Sequence, residues 1–280
     1  MKKRIKAFFI RIYKVISRPD MLLLPGQIAF FFVLATIPTI TLITYGASML
    51  NLSTDRIYTF LTNIFSQDMA NLLLSTSGTT NAGLKLSLTI LGCYYIASNG
   101  MTSVIVSSNA IYGIQNKNWF ERHFKGIVIT VIFVLIIIFL LVIPVFGDLI
   151  IELIQDANFN KDITNTIFKI YGFLQGPIMW LMLFLLIKII YVLAPDRLVK
   201  SHNVNYGALF TTISWIITTE IYSYYVNNIA MYSAFYGGLS SLCILMIWFY
   251  FLAEEFVIGM ALNFQRESEK LTNITSLDNK

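Results

Sequence analysis

The sequence predicts an all-α, polytopic membrane protein with six transmembrane helices plus interfacial amphipathic helices. Hydrophobic residues make up 56% of the 280 residues and charged residues only 12%, whereas a soluble domain carries about 25% charged residues. A spanning helix needs about 20 apolar residues, and the chain has room for six such runs but not for a separate soluble domain. Cys93 and Cys243 both fall in apolar runs, so we expect small buried side chains rather than disulfides.

The predicted membrane domain covers residues 20–264. Its spans are predicted at residues 26–50, 84–108, 126–154, 170–194, 205–229 and 236–263. Residues 55–75 form an amphipathic stretch too polar to span, which either lies flat at the interface or covers the bundle. A polar connection is expected at 156–169, and residues 265–280 are predicted to be a polar, disordered cytoplasmic tail.

The N-terminal segment, residues 1–19, is predicted to be a basic amphipathic helix that lies on an anionic membrane surface. Its apolar residues recur at helical spacing and seven Lys and Arg residues fill the other faces. Pro19 and Pro25 are expected to end it. Anionic lipid is therefore the predicted partner of this helix.

Lysine and arginine are distributed unevenly between the predicted loops. Fifteen lie on the side that would carry both termini and only four on the other side. Because cytoplasmic loops of membrane proteins are enriched in these residues, both termini are predicted to be cytoplasmic. The basic pI then reflects topology, and no nucleic-acid partner is expected.

Several short motifs match one known family. They are Asn109-Ala110-Ile111-Tyr112, Pro195-Asp196-Arg197, Tyr232-Ser233-Ala234-Phe235-Tyr236-Gly237, Trp248 with Tyr250, and Gly259 with Asn263. This pattern resembles the YihY/BrkB family of bacterial inner-membrane proteins, also labelled virulence factor BrkB, over about residues 25–265. The resemblance implies a multi-pass inner-membrane protein of poorly defined activity, with suggestions that include transport of lipids or other envelope components. An older ribonuclease label for the family is regarded as an error.

The sequence departs from the family near the end of the last span. The family usually has an acidic residue shortly after the late glycine, but here Gly259 is followed by Met260, Ala261, Leu262 and Asn263. Glu254 precedes Ala261 by seven residues and projects from nearly the same helix face. The hypothesis is that Glu254 replaces the missing carboxylate.

Motifs for enzymatic chemistry are missing from the sequence. The only histidines, His123 and His202, lie in different loops, and no HExxH, CxxC, GxSxG or GxxxxGK occurs. Hydrolytic metal sites and phosphate-binding loops need such clusters. We therefore expect no enzyme, no metal and no cofactor.

Ionisable residues inside the predicted spans are the best functional candidates, because a charge at membrane depth is costly. Lys188, Glu254 and Glu255 lie in the cytoplasmic half at a rise of about 1.5 Å per residue. An ion pair between Lys188 and one of these glutamates is predicted. The alternative is that Lys188 extends its amine to the interface.

Glu220 lies nearer the outer leaflet and has no cation at its depth. It is expected to be protonated, to bond Tyr or Asn groups, or to line a wet cavity, with Asn99 as a candidate neighbour. Asn109, Tyr225 and Tyr236 complete the candidate site residues, although an aromatic belt at the interface would also explain the tyrosines.

Two functions remain open from the sequence. The preferred one is transport or flipping of a lipid or amphiphilic envelope component without ATP hydrolysis. The alternative is a non-transporting scaffold or regulator of envelope assembly. A homo-oligomer or an envelope-assembly partner is compatible with both.

Overall fold

Helices are the only regular secondary structure among the residues that the computed structural model describes. These are residues 20–49, 84–136, 161–228 and 240–278, with shorter pieces at 10, 13, 17, 58–59, 61–62, 67 and 70–71. The long helices are α1 (Asp20–Met49), α2 (Leu84–Tyr112), α3 (119–136), α4 (Lys161–Leu193), α5 (Asn205–Asn228) and α6 (Ser240–Asp278), and a 3-10 turn covers Ser201–Asn203. The all-α prediction is confirmed for this part of the chain.

Helix α6 is the centre of the described bundle. It packs along α1 and α5 and also meets α2, while α1 packs along α2, and α4 packs on α5. The main core lies where α1, α2, α4 and α6 converge, around the fully buried residues Ile28, Ile105, Tyr191 and Val257. Tyr94 Oη on α2 donates to the carbonyl of Ile127 at 2.7 Å and so fastens α3 to α2.

A second apolar cluster lies towards the other end of α6. Leu61 and Ala70 are buried there against Ile40 of α1 and Leu245 of α6. Both belong to the amphipathic stretch predicted at 55–75. Of the two alternatives for that stretch, these contacts favour covering the bundle.

Two helices in the described part of the chain are long and apolar enough to cross a membrane. They contain Gly176–Leu193, with a mean hydropathy of 2.2, and Leu242–Ser268, with a mean hydropathy of 1.9. They coincide with the fourth and sixth predicted spans. A shorter apolar helical run covers Leu23–Thr36 in the first predicted span.

Three predicted boundaries are wrong because helices continue through polar or proline-containing sequence. Pro25 lies inside α1, close enough to its start to remove only one helical hydrogen bond. Helix α4 begins at Lys161, within the predicted polar connection. The predicted disordered tail is helical to Asp278, since it is rich in Gln, Glu, Lys and Arg, which favour helix.

Some other predicted segments begin at a different residue in the structure or lie outside the described residues. Helix α3 is already helical at 119, seven residues before the predicted span, and residues 137–154 of that span lie outside the described residues. Residues 229–239, which include the motif from Tyr232 to Gly237 and the start of the sixth predicted span, also lie outside them. Cys243 is exposed on α6 rather than buried, so the expectation of a core position was wrong for it.

Candidate functional site

The first part of the candidate site is the close crossing of α5 and α6 at two glycines. A Cβ added at Gly207 would overlap the carbonyl oxygen of Gly259, and one added at Gly259 would overlap Thr211 Oγ1. The backbone N–H of Gly207 donates to Asn263 Oδ1 at 2.6 Å. Only residues without a side chain let the two backbones approach this closely.

Tyr191 ties a third helix to this crossing. Its side chain is fully buried in α4, and its hydroxyl donates to the carbonyl of Phe256 at 2.7 Å. The same oxygen lies 2.7 Å from Thr211 Oγ1. The aromatic rings of Tyr191 and Phe256 are 4.6 Å apart, so one residue joins α4, α5 and α6.

Glu255 lies beside this junction and is half-buried. Its Oε1 accepts a hydrogen bond from Thr218 Oγ1 of α5, while its Oε2 is buried and has no hydrogen-bond partner. Within the described residues no lysine or arginine pairs with it. A buried polar atom without a partner costs about 1–3 kcal/mol, so the Glu255 carboxyl group is the candidate site residue whose hydrogen bonding is least complete.

The predicted ion pair of Lys188 with Glu254 or Glu255 is wrong. Among the described residues, the Lys188 amine has no ion-pair partner and lies 5.9 Å from the centroid of the Phe184 ring. The Lys188 side chain is half-buried and shares its side of α4 with the exposed Leu181 and Leu185. Glu254 is half-buried at the end of an exposed stripe of α6.

Glu220 is exposed and has no described hydrogen bond or ion pair. It shares the outer face of α5 with Ile217 and Ile221. The predicted contact with Asn99 is not formed among the described residues: Asn99 is half-buried in α2, where its carbonyl accepts from Ser103 Oγ. Tyr225 is half-buried on α5, and Tyr236 lies outside the described residues.

Asn109, the remaining candidate, forms the second part of the site at the end of the bundle. Its buried Nδ2 donates to Asp196 Oδ2 at 2.7 Å and to Asn116 Oδ1 at 3.0 Å. Its Oδ1 accepts from the Asp196 backbone N–H at 2.9 Å. Lys125 Nζ closes the network by donating to Asp196 Oδ1 at 2.7 Å and to the carbonyls of Ala194 and Pro195.

The C-terminal end of α2 explains why Asn109 can reach the loop after α4, which contains Asp196. Gly113 follows the helix with φ +66°, its N–H bonds the carbonyl of Ala110, and the N–H of Ile114 bonds the carbonyl of Asn109. This pair of bonds is the Schellman cap, which favours glycine at its left-handed residue. The cap turns the chain so that 113–118 passes beside the loop after α4.

Arg197 links that loop to the last helix. Its guanidinium pairs with Glu267 of α6 and lies 4.4 Å from the Tyr112 ring centroid, and Tyr112 in turn packs against Phe264. The ends of α2, α4 and α6 are thereby held together at one end of the bundle.

Comparison with known proteins assigns the chain to a family. The model of the family described as virulence factor BrkB matches residues 12–279. The chain belongs to the BrkB family. The family predicted from the motifs is thus confirmed, and the protein is a membrane protein of this family.

Relatives of this BrkB-family protein carry two kinds of name. The chain is 30% identical over 243 residues to the putative ribonuclease-like protein YfkH of Bacillus subtilis, covering 85% of this chain and 87% of that one. It is 22% identical to a UPF0761 membrane protein of Glaesserella parasuis, covering 61% of this chain and 58% of the relative. It is 28% identical to UPF0761 membrane protein IL2447 of Idiomarina loihiensis over 31% of each chain. No solved structure matches the chain.

Sequence reasoning missed most of the partners in both parts of this BrkB-family site. Asp196 and Lys125 lie 71 residues apart, and no spacing rule joins positions so far apart. Lys125 was counted only as a loop charge that reports topology. The available signal was that Asn109 and Pro195-Asp196-Arg197 both belong to the motifs that carried the family resemblance, and the structure brings Asn109 and Asp196 into direct contact.

Asp196 gives stability a defined pH dependence. Burial alone would raise the pKa of its carboxyl, but the hydrogen bonds from Lys125 and Asn109 and the Lys125 charge outweigh burial and lower it. A carboxyl with a lowered folded-state pKa stabilises the fold above the unfolded value of about 3.9, and this contribution is lost as pH falls through the folded value.

We therefore expect the stability gap between wild type and Asp196→Asn to depend on pH. The variant should unfold at a lower temperature than wild type at neutral pH, and the gap should close as the pH falls below about 4. Thermal unfolding of both proteins in detergent, from neutral pH to below about pH 4, measures the difference in their unfolding temperatures. A gap that stays constant with pH would show that the charge of Asp196 does not act in the fold.

Proposed function

We propose that the protein is an ATP-independent transporter or flippase that moves a lipid or an amphiphilic envelope component across the bacterial inner membrane. The observation that carries this proposal is the Glu255 carboxyl between α5 and α6, whose Oε2 is buried without a hydrogen-bond partner. Ionisable groups within membrane helices commonly mark substrate or proton pathways. A fully paired scaffold core has no use for such an unsatisfied acceptor.

The chemistry available at Glu255 suits a polar headgroup. Its free oxygen can accept a hydrogen bond from an amine or hydroxyl group of a passing substrate, or take up a proton. Thr218 Oγ1 donates a hydrogen bond to the other carboxyl oxygen. Nearby, Trp215 Nε1 donates a hydrogen bond to the carbonyl oxygen of Leu252 at 2.9 Å. The protein thus fixes the orientation of the carboxyl group and leaves one buried oxygen without a hydrogen-bond partner.

The proposal includes six spans with both termini in the cytoplasm. The positive-inside asymmetry supports it. The contacts around Asn109 and Arg197 support it too, because they gather the loops after α2 and α4 and the end of α6 on one side. These loops belong to the side rich in lysine and arginine.

A non-enzymatic role is part of the proposal. The name of the Bacillus subtilis relative includes "ribonuclease-like", but the sequence of this chain lacks the His, Asp or Cys motifs of hydrolytic sites. Within the described residues there is no group of three or more His, Cys, Asp or Glu that could hold a metal ion. The proposed partners are membrane lipids, with anionic lipid at the basic N-terminus, and not nucleic acid.

We expect Glu255→Gln to slow lipid movement in reconstituted liposomes by about tenfold or more, because the amide cannot carry charge or a transferable proton. The measurement is the rate at which fluorescent lipid becomes accessible to a membrane-impermeant quencher. Glu220→Gln is the matched control, since it makes the same chemical change on the exposed face of α5.

The control variant also tests Glu220, the acid that the sequence analysis left without a cation at its depth. Loss of transport in Glu220→Gln but not in Glu255→Gln would move the site to the outer half of α5 and refute the role of Glu255. Wild-type protein that moves no lipid would instead favour the scaffold or regulator.

A further inference from the structure

Helix α3 has an exposed apolar face along its whole described length. Its residues recur at intervals of three or four, so they share one side of the helix, and each is at least 42% exposed: Phe120, Phe124, Val128, Val131 and Leu135. The opposite side packs on α2, where Ile129 and Thr130 of α3 are buried. The apolar face therefore points away from the bundle.

Contacts with α2 show how deep the first turn of α3 lies. A Cβ added at Gly126 would overlap Thr102 Oγ1 of α2. Further along α2, Asn109 Nδ2 donates to Asn116 Oδ1 in the loop before α3. Helix α3 therefore runs back along α2. Phe120, six residues before the close contact on α3, and Asn109, seven residues after it on α2, are level to within about 2 Å.

The same level is the end of two apolar runs. Asn109 holds Asp196, which follows the run Gly176–Leu193 of α4. Arg197 pairs with Glu267 at the end of the run Leu242–Ser268 of α6. Both runs are long enough to cross a membrane, and the headgroup layer, about 5–7.5 Å thick on each side, begins where such runs end. The first turn of α3 thus lies in this layer.

The side chains and charges of this end suit a lipid headgroup layer. Trp119 is about half exposed, and its ring stacks on His123 at 4.2 Å and meets Phe120 edge-on at 4.9 Å. Tryptophan is enriched at this depth in membrane proteins. The described residues of this end, 113–125, 194–206 and 264–268, include six Lys and Arg but three Asp and Glu. This excess of positive charge complements anionic headgroups.

We propose that Trp119, Phe120 and Phe124 form an interfacial anchor that binds anionic phospholipid. The anchor continues the outward face of Val128 and Leu135, which lie deeper along the same helix, so one surface passes from the acyl chains to the headgroups. The aromatic rings contact the first acyl carbons and the basic residues contact the phosphate. The inference concerns lipid binding and holds whether or not the protein moves lipid.

Accessibility to water tests the position of the anchor. Full-length protein with Phe120→Cys, in a background of Cys93→Ser and Cys243→Ser, is reconstituted in liposomes and treated with a water-soluble maleimide. Ser201→Cys in the same background is the matched control, because Ser201 is exposed in the 3-10 turn at the same end of the bundle. Rates are divided by those of each protein unfolded in detergent, which removes intrinsic differences in reactivity.

Phe120 is 80% exposed within the chain, so without lipid over it the two cysteines should react alike. We expect Phe120→Cys to react at least about tenfold more slowly than Ser201→Cys, the ratio that a preference of 1.4 kcal/mol gives. Equal rates would overturn the proposal. Slow reaction in native membranes but not in liposomes of the purified protein would also overturn it, because the face would then belong to a protein partner.

Brominated lipids test the preference for negative charge. Bromine in the acyl chains quenches nearby tryptophan, and the difference between wild type and Trp119→Phe isolates the emission of Trp119. Brominated phosphatidylglycerol should quench it at least about fivefold more than brominated phosphatidylcholine, the factor for one basic residue near an anionic surface.

Lys117→Gln should lower this preference by about the same factor, because the Lys117 side chain is more than half exposed and lies two residues before Trp119. Lys188→Gln is the matched control, since Lys188 lies within α4, five residues before its apolar run ends, and should leave the preference unchanged. Equal quenching by the two lipids, or a preference that Lys117→Gln does not lower, would overturn the proposal.

Discussion

Gly207→Ala is expected to destabilise the protein by at least about 3 kcal/mol, the upper part of the range for overpacked cores. The added methyl group would overlap the carbonyl oxygen of Gly259, which is backbone, and would lie 2.5 Å from Asn263 Nδ2. No rotamer change can relieve contact with a backbone atom. Helices α5 and α6 must therefore separate, which breaks the bond from the Gly207 N–H to Asn263 and weakens the junction at Tyr191.

The matched control is Gly92→Ala. Gly92 is exposed in helix α2, and a methyl group there meets nothing within 4 Å. It should be neutral or stabilising by up to about 1 kcal/mol, since alanine favours helix over glycine. Chemical denaturation in mixed micelles measures the free energy of unfolding of both variants. Equal stabilities for Gly207→Ala and Gly92→Ala would refute the close crossing of α5 and α6.

Lys125→Met is expected to cost about 3–5 kcal/mol, the range for removing one partner of a buried ion pair. The Asp196 side chain is only 3% exposed and that of Lys125 is 26% exposed, so water replaces the lost ammonium group only in part. The carbonyls of Ala194 and Pro195 lose the same donor. The loop after α4 should then loosen, and proteolysis near residues 194–204 should become faster.

Lys117→Met is the control for loss of a positive charge that acts on Asp196 without a direct bond to it. Lys117 pairs with Glu121 at 3.4 Å, and both side chains are more than half exposed. Such surface pairs contribute about 0–1 kcal/mol. If Lys125→Met costs no more than Lys117→Met, the network around Asp196 does not stabilise the loop.

The sequence was sufficient for properties that depend on local pattern. Apolar runs predicted helices, and the helical segments of α2, α5 and α6 include most of the predicted second, fifth and sixth spans. The family motifs were also local and were confirmed by comparison. Helix ends were predicted poorly, because helix α6 continues into polar sequence where Glu267 pairs with Arg197, a contact 70 residues away in sequence.

The pairing of charges was beyond sequence reasoning for a different reason. The helical rise placed Lys188 and Glu254 in the same half of the membrane, but depth does not say which way a side chain points around its helix. That direction depends on packing, which places Lys188 over the Phe184 ring and turns Glu255 towards Thr218. Asn109 was a candidate without a role until the fold brought Asp196 to it.

The most direct test of the transport proposal is the rate at which purified wild-type protein moves labelled phospholipid between the leaflets of liposomes without ATP. We expect movement well above that of protein-free liposomes, and slower movement in Glu255→Gln. A wild-type rate equal to that of protein-free liposomes, across zwitterionic and anionic lipids, would contradict it.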